Sequence, residues 1–166
     1  MPRFGVLLAM FMALAAMPAW AVDSTLSPAA NEAYIKANGN KPGVVTRPSG
    51  LQYNILQNGF GKQPGGFDTV TVYYKGSLIN GSVFDQTEPG LPAQFVVNQL
   101  IPGWTEALEI MREGDHWHLV IPAELAYGSR GQGGVIPPDQ TLVFDLELVK
   151  VTPAPPKNPD EDKSKE

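Results

Sequence analysis

The stretch TLVFDLELVKV, residues 141–151, sets Leu142, Phe144, Leu146 and Leu148 on one side of an extended chain and Asp145 and Glu147 on the other. An alternation of this length is the period of a β-strand with one face on a core and the other in water. Immediately before it stands GQGGVIPPDQ, residues 131–140, which opens with three glycines in four residues and then passes through two prolines. Glycine admits close backbone approach and proline fixes φ, so this segment reads as a loop that is bare at one end and stiff at the other.

Working back from that strand, HWHLVIP (116–122) alternates in the same way through Trp117, Leu119 and Ile121. Upstream of it, Trp104, Leu108 and Met111 recur at i, i+4 and i+7 and mark one apolar face of a helix. Pro102 suits the first turn of this helix and Gly114 its end, which predicts a helix over about residues 102–112. LQYNIL (51–56), with Leu51, Tyr53 and Ile55 on one side, is a further strand, as are TVTVYYKGSLI (69–79), SVFD (82–85) and AQFVVN (93–98). Asn80-Gly81 predicts a hairpin with a type I′ turn, in which both central residues take positive φ. Such strands and one apolar helix pack most economically as an α+β fold, a curved antiparallel sheet wrapped around one short amphipathic helix.

The two ends of the chain read differently. Met1 to Ala21 has one basic residue, Arg3, an apolar run from Phe4 to about Met17, and the triplet Ala19-Trp20-Ala21, which together make the pattern of a cleaved signal peptide. The run is shorter than the roughly 20 apolar residues that span a bilayer. No cysteine follows Ala21 to carry a lipid, so the expectation is a periplasmic or secreted protein with no membrane anchor after cleavage. Residues 22–47 form a lead-in, partly helical, in which NEAYIKANG (31–39) is stopped by Gly39. The domain occupies 48–151, and residues 152–166, with four prolines and seven charged side chains, make a solvated tail. A lead-in this short leaves no room for a long dimerisation arm, which predicts a monomer.

Composition removes several function classes. With no cysteine the chain has no disulfide, no thiolate nucleophile and no cysteine metal site. Twelve basic against seventeen acidic residues give a net charge of −5, and no basic patch is present to displace counterions from nucleic acid. Nucleophile elbow, phosphate loop and dinucleotide fingerprint are all missing. His116 and His118 share the wet face of their strand, and no third ligand stands near them in sequence, so neither a metal nor a cofactor is expected. What remains is aromatic: Tyr74, Phe84, Trp104, Tyr127 and Phe144 come from five different elements. Aromatics on apolar faces usually belong to the core. Trp104, however, stands in the first turn of its helix, and Tyr127 in a glycine-rich loop that needs no large ring; both placements suit the wall of an apolar pocket.

VYYKGSLINGSVFD (72–85), LIPGWTEAL (100–108) and AYGSRGQGGVIPPDQTLVFDLEL (126–148) resemble, in order and spacing, the FKBP-type peptidyl-prolyl cis-trans isomerases. SGLQYNIL (49–56) and QLIPGWTEAL (99–108) resemble the periplasmic bacterial branch that includes the macrophage infectivity potentiator proteins. The resemblance covers about residues 48–151 and implies a five- or six-stranded antiparallel sheet on one short helix. It implies a pocket lined by Tyr74, Phe84, Asp85, Ile101, Trp104, Tyr127, Ile136 and Phe144, with Trp104 as its floor. Leu100 and Ile101 would meet the backbone of a bound peptide, and Tyr127 would offer its hydroxyl to a substrate carbonyl. The loop at 131–138 would overhang the pocket with Ile136 reaching in. Asp85, the one carboxylate, is expected to accept a hydrogen bond from Tyr74 or to orient the carbonyl dipole. Ala93 falls where many members carry a pocket aromatic and Gln132 where the best-known members have a loop histidine; both are expected at the rim, shifting substrate or inhibitor preference.

The implied activity needs no acid, base or cofactor. Rotation about an X-Pro amide faces a barrier of ~18–20 kcal/mol because resonance holds it planar. The twisted state is less dipolar than the planar one, so a water-poor apolar site favours it. Implied substrates are proline-containing stretches of unfolded or partly folded exported polypeptides, and macrolides such as rapamycin are implied inhibitors. A chaperone that holds unfolded exported chains with little turnover would use the same groove, and a polyproline-docking protein would bind without turnover at all.

Overall fold

In the computed structural model, which describes residues 23–156, the alternating stretch is the centre of the sheet. The signal peptide read at residues 1–21 and most of the tail lie outside the described residues. Seven strands pair antiparallel: β1 (Val44–Thr46), β2 (Gln52–Gln57), β3 (Thr69–Leu78), β4 (Val83–Gln86), β5 (Ala93–Val96), β6 (His116–Ile121) and β7 (Leu142–Thr152). Their spatial order is β1-β2-β6-β7-β3-β4, and β5 pairs with the first half of β3 while β4 pairs with the second. The sheet thus has seven strands rather than five or six, and it starts at Val44, inside the segment read as a lead-in.

The inner face follows the alternation seen in the sequence. Leu142, Leu146 and Leu148 of β7 are fully buried, as are Leu119 and Ile121 of β6 and Val70 and Val72 of β3. Against them packs α2 (Pro102–Leu108), burying Trp104, Ala107 and Leu108. This helix ends earlier than the expected Arg112. The carboxylate of Asp115 accepts a hydrogen bond from Arg112 N–H at 2.6 Å and another from Gly59 N–H at 2.6 Å. That draws the chain out of the helix while Met111 stays fully buried.

The β3–β4 hairpin is a second correction. Gly81 takes φ 86°, but Asn80 is not among the residues with positive φ, so the turn is not type I′. Gly81 N–H donates to Leu78 C=O at 2.9 Å and Leu78 N–H to Ser82 C=O at 2.9 Å. This is a type I turn closed by a left-handed glycine, the three-residue alternative in which the glycine forms a bulge. Only one residue then needs positive φ, and Asn80 instead accepts Ser82 N–H through its side chain at 3.0 Å.

A second helix, α1 (Pro28–Gly39), lies on the opposite face of the sheet. Ser27 caps it by accepting Ala30 N–H, and Pro28 fills its first position. Its buried residues are not apolar: they are Asn31 and Asn38. Asn38 Nδ2 donates to Gln52 Oε1 at 2.9 Å, and Gln52 Nε2 donates to Ile35 C=O at 3.0 Å. Gln52 alternates with Leu51 and Tyr53 along β2, so the helix covers part of the sheet face that the sequence alternation marks as wet.

Candidate functional site

At one end of the sheet the inner faces of β3, β4, β5 and β7 meet the first turn of α2 around a pocket of about 390 Å³. Trp104 and Phe144, each 4% exposed, form its buried end. Trp104 meets Tyr74, Phe95 and Phe144 edge to face, with ring centroids 5.2, 5.9 and 5.2 Å away and interplanar angles of 85°, 88° and 80°. Phe84 stands against Phe144 at 5.6 Å and 86°. Edge-to-face contacts suit the ring quadrupoles, so the five rings fix one another's orientation as well as excluding water.

Backbone chemistry makes room for these rings. Gly76 in β3 is paired with Phe144 in β7. A Cβ at that position would stand 2.6 Å from Phe144 Cε1 and 2.7 Å from Phe84 Cζ, too close for any residue but glycine. On α2, Pro102 and Gly103 let the helix start directly beneath β6, where a Cβ on Gly103 would collide with Ile121. The segment Gln99-Leu100-Ile101 enters the helix along the pocket wall.

The mouth is polar. Tyr74 donates its hydroxyl hydrogen to Asp85 Oδ2 at 2.6 Å. Burial, and then the bond to Asp85 and its charge, hold the Tyr74 phenol far above its ordinary value. Burial and the Asp85 charge raise the Tyr127 phenol too. Both rings therefore keep their protons at neutral pH. The proton of Tyr74 is committed to Asp85, whereas the hydroxyl of Tyr127 has no hydrogen-bond partner among the described residues and is free to donate.

Of the sequence-derived candidates, the structure brings Tyr74, Phe84, Asp85, Leu100, Ile101, Trp104, Tyr127 and Phe144 around this one pocket. It places Ile136, Ala93 and Gln132 outside the lining. Ile136 is 4% exposed and packs in the same core cluster as Trp104 and Phe144 without lining the cavity. Its backbone is closed onto Gln132, with Gln132 N–H donating to Ile136 C=O at 2.8 Å and Ile136 N–H to Gln132 C=O at 3.1 Å. Gly131, at φ 63°, lets Ile136 C=O and Pro137 pack against its bare Cα, so the glycine-rich loop folds upon itself. Ala93 pairs with Val72, and Phe95, two residues later on the same face of β5, is the side chain of that strand that lines the pocket. Phe95 and Gln99 are lining residues that were not among the candidates. The alternation of AQFVVN carries Phe95, while nothing in the sequence distinguishes Gln99.

His116 and His118 sit on the outer face, opposite Glu147 and Asp145 of β7. His118 Nδ1 lies 2.8 Å from Asp145 Oδ1 in an exposed pair. Among the described residues, no group of three or more His, Cys, Asp or Glu is placed to hold a metal ion, and no helix is long and apolar enough to cross a membrane.

Residues 61–149 match the family model of FKBP-type peptidyl-prolyl cis-trans isomerases, and residues 11–55 match that of the domain amino terminal to them. The chain is 54% identical over 127 residues to an outer membrane protein MIP of Legionella longbeachae, covering 76% of this chain and 54% of that protein. It is 50% identical over 119 residues to an FKBP-type 22 kDa peptidyl-prolyl cis-trans isomerase of Escherichia coli, covering 71% and 58%. Thus the chain spans little more than half the length of these curated relatives. Among solved structures, a peptidyl-prolyl cis-trans isomerase of Pseudomonas syringae superposes with a TM-score of 0.71 at 38% identity, covering 75% of this chain and 92% of that one. FkpA of Escherichia coli superposes with a TM-score of 0.72 at 47% identity, covering 77% and 62%.

Proposed function

Because the chain belongs to the FKBP-type peptidyl-prolyl cis-trans isomerase family, we propose that its aromatic pocket accelerates cis-trans rotation about X-Pro bonds. The observation that carries this reading is the Trp104 indole, enclosed edge to face by Tyr74, Phe95 and Phe144 beneath a polar mouth. A prolyl ring is apolar and flat enough to enter such a cup, while the carbonyl before it stays at the mouth, free to turn.

Each part of the site then has a task. Resonance sets the barrier at ~18–20 kcal/mol, and a millionfold acceleration requires about 8 kcal/mol off it. The rings displace water from the amide, which disfavours the planar dipolar form relative to the twisted one. The twisted nitrogen becomes pyramidal and the carbonyl regains full double-bond character. Tyr127, protonated and unpaired, donates to a substrate carbonyl at the mouth and so anchors the peptide there. This is a holding role and not one of charge stabilisation, because the oxygen of the rotating amide loses negative charge on twisting. Asp85 orders Tyr74 and sets a negative potential on one side of the mouth. No proton is transferred, so the site needs no base and no cofactor. Leu100 and Ile101 run along the wall where the substrate backbone would lie.

The substrates are proline-containing stretches of unfolded or partly folded polypeptides, and a macrolide such as rapamycin competes for the same pocket. Export to the periplasm is supported by the signal-like sequence of residues 1–21. The test is turnover of a short X-Pro peptide followed by exchange spectroscopy. Fast turnover blocked by rapamycin supports the reading. A folded but inert protein that still suppresses aggregation of an unfolded client would replace it with a holding chaperone.

A further inference from the structure

α1 docks on the sheet through amides rather than through an apolar stripe, and two of its contacts reach different places. Asn31, 5% exposed, faces Gln140, 6% exposed, and Thr141, 1% exposed. Asn31 Oδ1 accepts Thr141 N–H at 2.8 Å, and Asn31 Nδ2 donates to Gln140 Oε1 at 3.2 Å. The Gln140 amide closes the ring by donating to Leu26 C=O at 3.1 Å and to Pro138 C=O at 3.0 Å. Leu26 C=O in turn accepts Asn31 Nδ2 at 3.2 Å. Every amide in this buried ring is paired, the condition under which a polar network rigidifies a structure instead of weakening it.

What the ring holds is the base of the segment joining β6 to β7, residues 122–141, which carries Tyr127. Asp139 N–H donates to Gly128 C=O at 2.9 Å, tying the end of this segment to the residue beside Tyr127. Asp139 is also the one non-glycine residue with positive φ, 58°, among those described. A left-handed aspartate persists where its neighbours leave the chain no alternative, and the neighbours here are Pro138 and Gln140, both bonded into the Asn31 ring. A segment of this length has considerable entropy to recover if that anchor is lost.

We infer that Asn31 is a positioning residue for the pocket: by holding Gln140 and Thr141 from α1, on the opposite face of the sheet, it fixes the segment that presents Tyr127 to the substrate. The kinetic part of this inference rests on the isomerase reading above, and the conformational part does not.

The second amide contact of α1 supplies the control. Asn38, 3% exposed, binds Gln52 of β2 and makes no side-chain hydrogen bond to the 122–141 segment among the described residues. Asn31→Ala and Asn38→Ala each strip one buried amide from the same helix, and both are expected to lower Tm. Only Asn31→Ala is expected to raise KM for an X-Pro peptide, roughly five- to tenfold, because it leaves Thr141 N–H buried and unpaired. Its kcat should change less than about twofold, and amide exchange across residues 124–140 should accelerate. Asn31→Asp, which keeps the acceptor for Thr141 N–H and loses the donor to Gln140, should shift both readings in the same direction by less. Equal effects of Asn31→Ala and Asn38→Ala on KM and exchange would overturn the inference, as would wild-type values in both Asn31 variants. If the wild-type protein shows no turnover, the isomerase reading falls, and selective acceleration of exchange in the Asn31 variants, or its absence, decides the clamp by itself.

Discussion

Tyr74 Oη and Asp85 Oδ2 lie 2.6 Å apart across the mouth of the pocket, a hydrogen bond between an interior strand and an exposed one. In the proposed mechanism Asp85 orients Tyr74 and takes no proton, since rotation about an amide transfers none. Replacing Asp85 by Leu is expected to lower kcat/KM about tenfold, the equivalent of ~1.4 kcal/mol. Tm should move only slightly, since the residue is at the exposed rim. Unchanged turnover in a folded Asp85→Leu protein would remove Asp85 from the mechanism.

Gly76→Ala tests whether the ring cluster is as tightly fitted as it looks. The added methyl meets Phe144 and Phe84 at once, and overpacking of this kind costs about 1–3 kcal/mol. Chemical denaturation should report that loss, and kcat/KM should fall with it because the two displaced rings line the pocket. A variant with wild-type stability and activity would show that the rings have room to move.

The two strands β6 and β7 were legible from alternation alone, since Leu142, Leu146 and Leu148 could reach a core only if Asp145 and Glu147 faced outward, whereas β1, three residues long, is too short to show a period. Trp104 was legible for a related reason, as an aromatic at a helix start has little core to fill. Other features were set by register and by contacts distant in sequence. Ala93 and Phe95 share a face of β5, and only the pairing of Phe95 with Val70 and of Ala93 with Val72 decides which of them reaches the pocket. Ile136 shares the core cluster of Trp104 and Phe144 without lining the cavity itself, a distinction that depends on how the loop closes between Gln132 and Ile136 and that no local pattern shows. The docking of α1 was hidden for a different reason. A helix whose buried residues are two asparagines has no hydrophobic period to detect, and the partner of Asn31 at Gln140 lies 109 residues away.

Alkaline stability should carry the signature of the pocket phenols. Tyr74 and Tyr127 are raised from the ordinary 10.0, chiefly by burial. Above about pH 10 the unfolded chain therefore loses these protons more readily than the folded one, so stability is complete below that pH and declines as pH climbs toward the folded values. The urea midpoint followed from pH 9 to 11 should fall, and Tyr74→Phe should flatten the fall. An equal slope in the variant would mean that Tyr74 titrates as it does in the unfolded chain.

At acid pH the sign is reversed. Glu113 is lowered from 4.5, first by accepting Val151 N–H and then Lys62 N–H, at 2.6 and 3.2 Å. Its contribution is present above about pH 4.5 and is lost as pH falls through the lower folded value. In a titration of Tm between pH 6 and 3, Glu113→Gln should start lower and lose less. A parallel curve would show that the carboxylate charge contributes nothing at this site.

The most direct measurement is kcat/KM for one X-Pro peptide in the wild-type protein and in the Trp104→Ala, Tyr127→Phe double variant, each checked for folding by its amide spectrum. The account predicts rapid rapamycin-sensitive turnover in the first and a loss of about a hundredfold, or ~2.7 kcal/mol, in the second, where both the apolar floor and the hydroxyl that anchors the peptide are gone. A folded double variant that turns the peptide over at the wild-type rate would contradict it, for the chemistry would then lie outside this pocket.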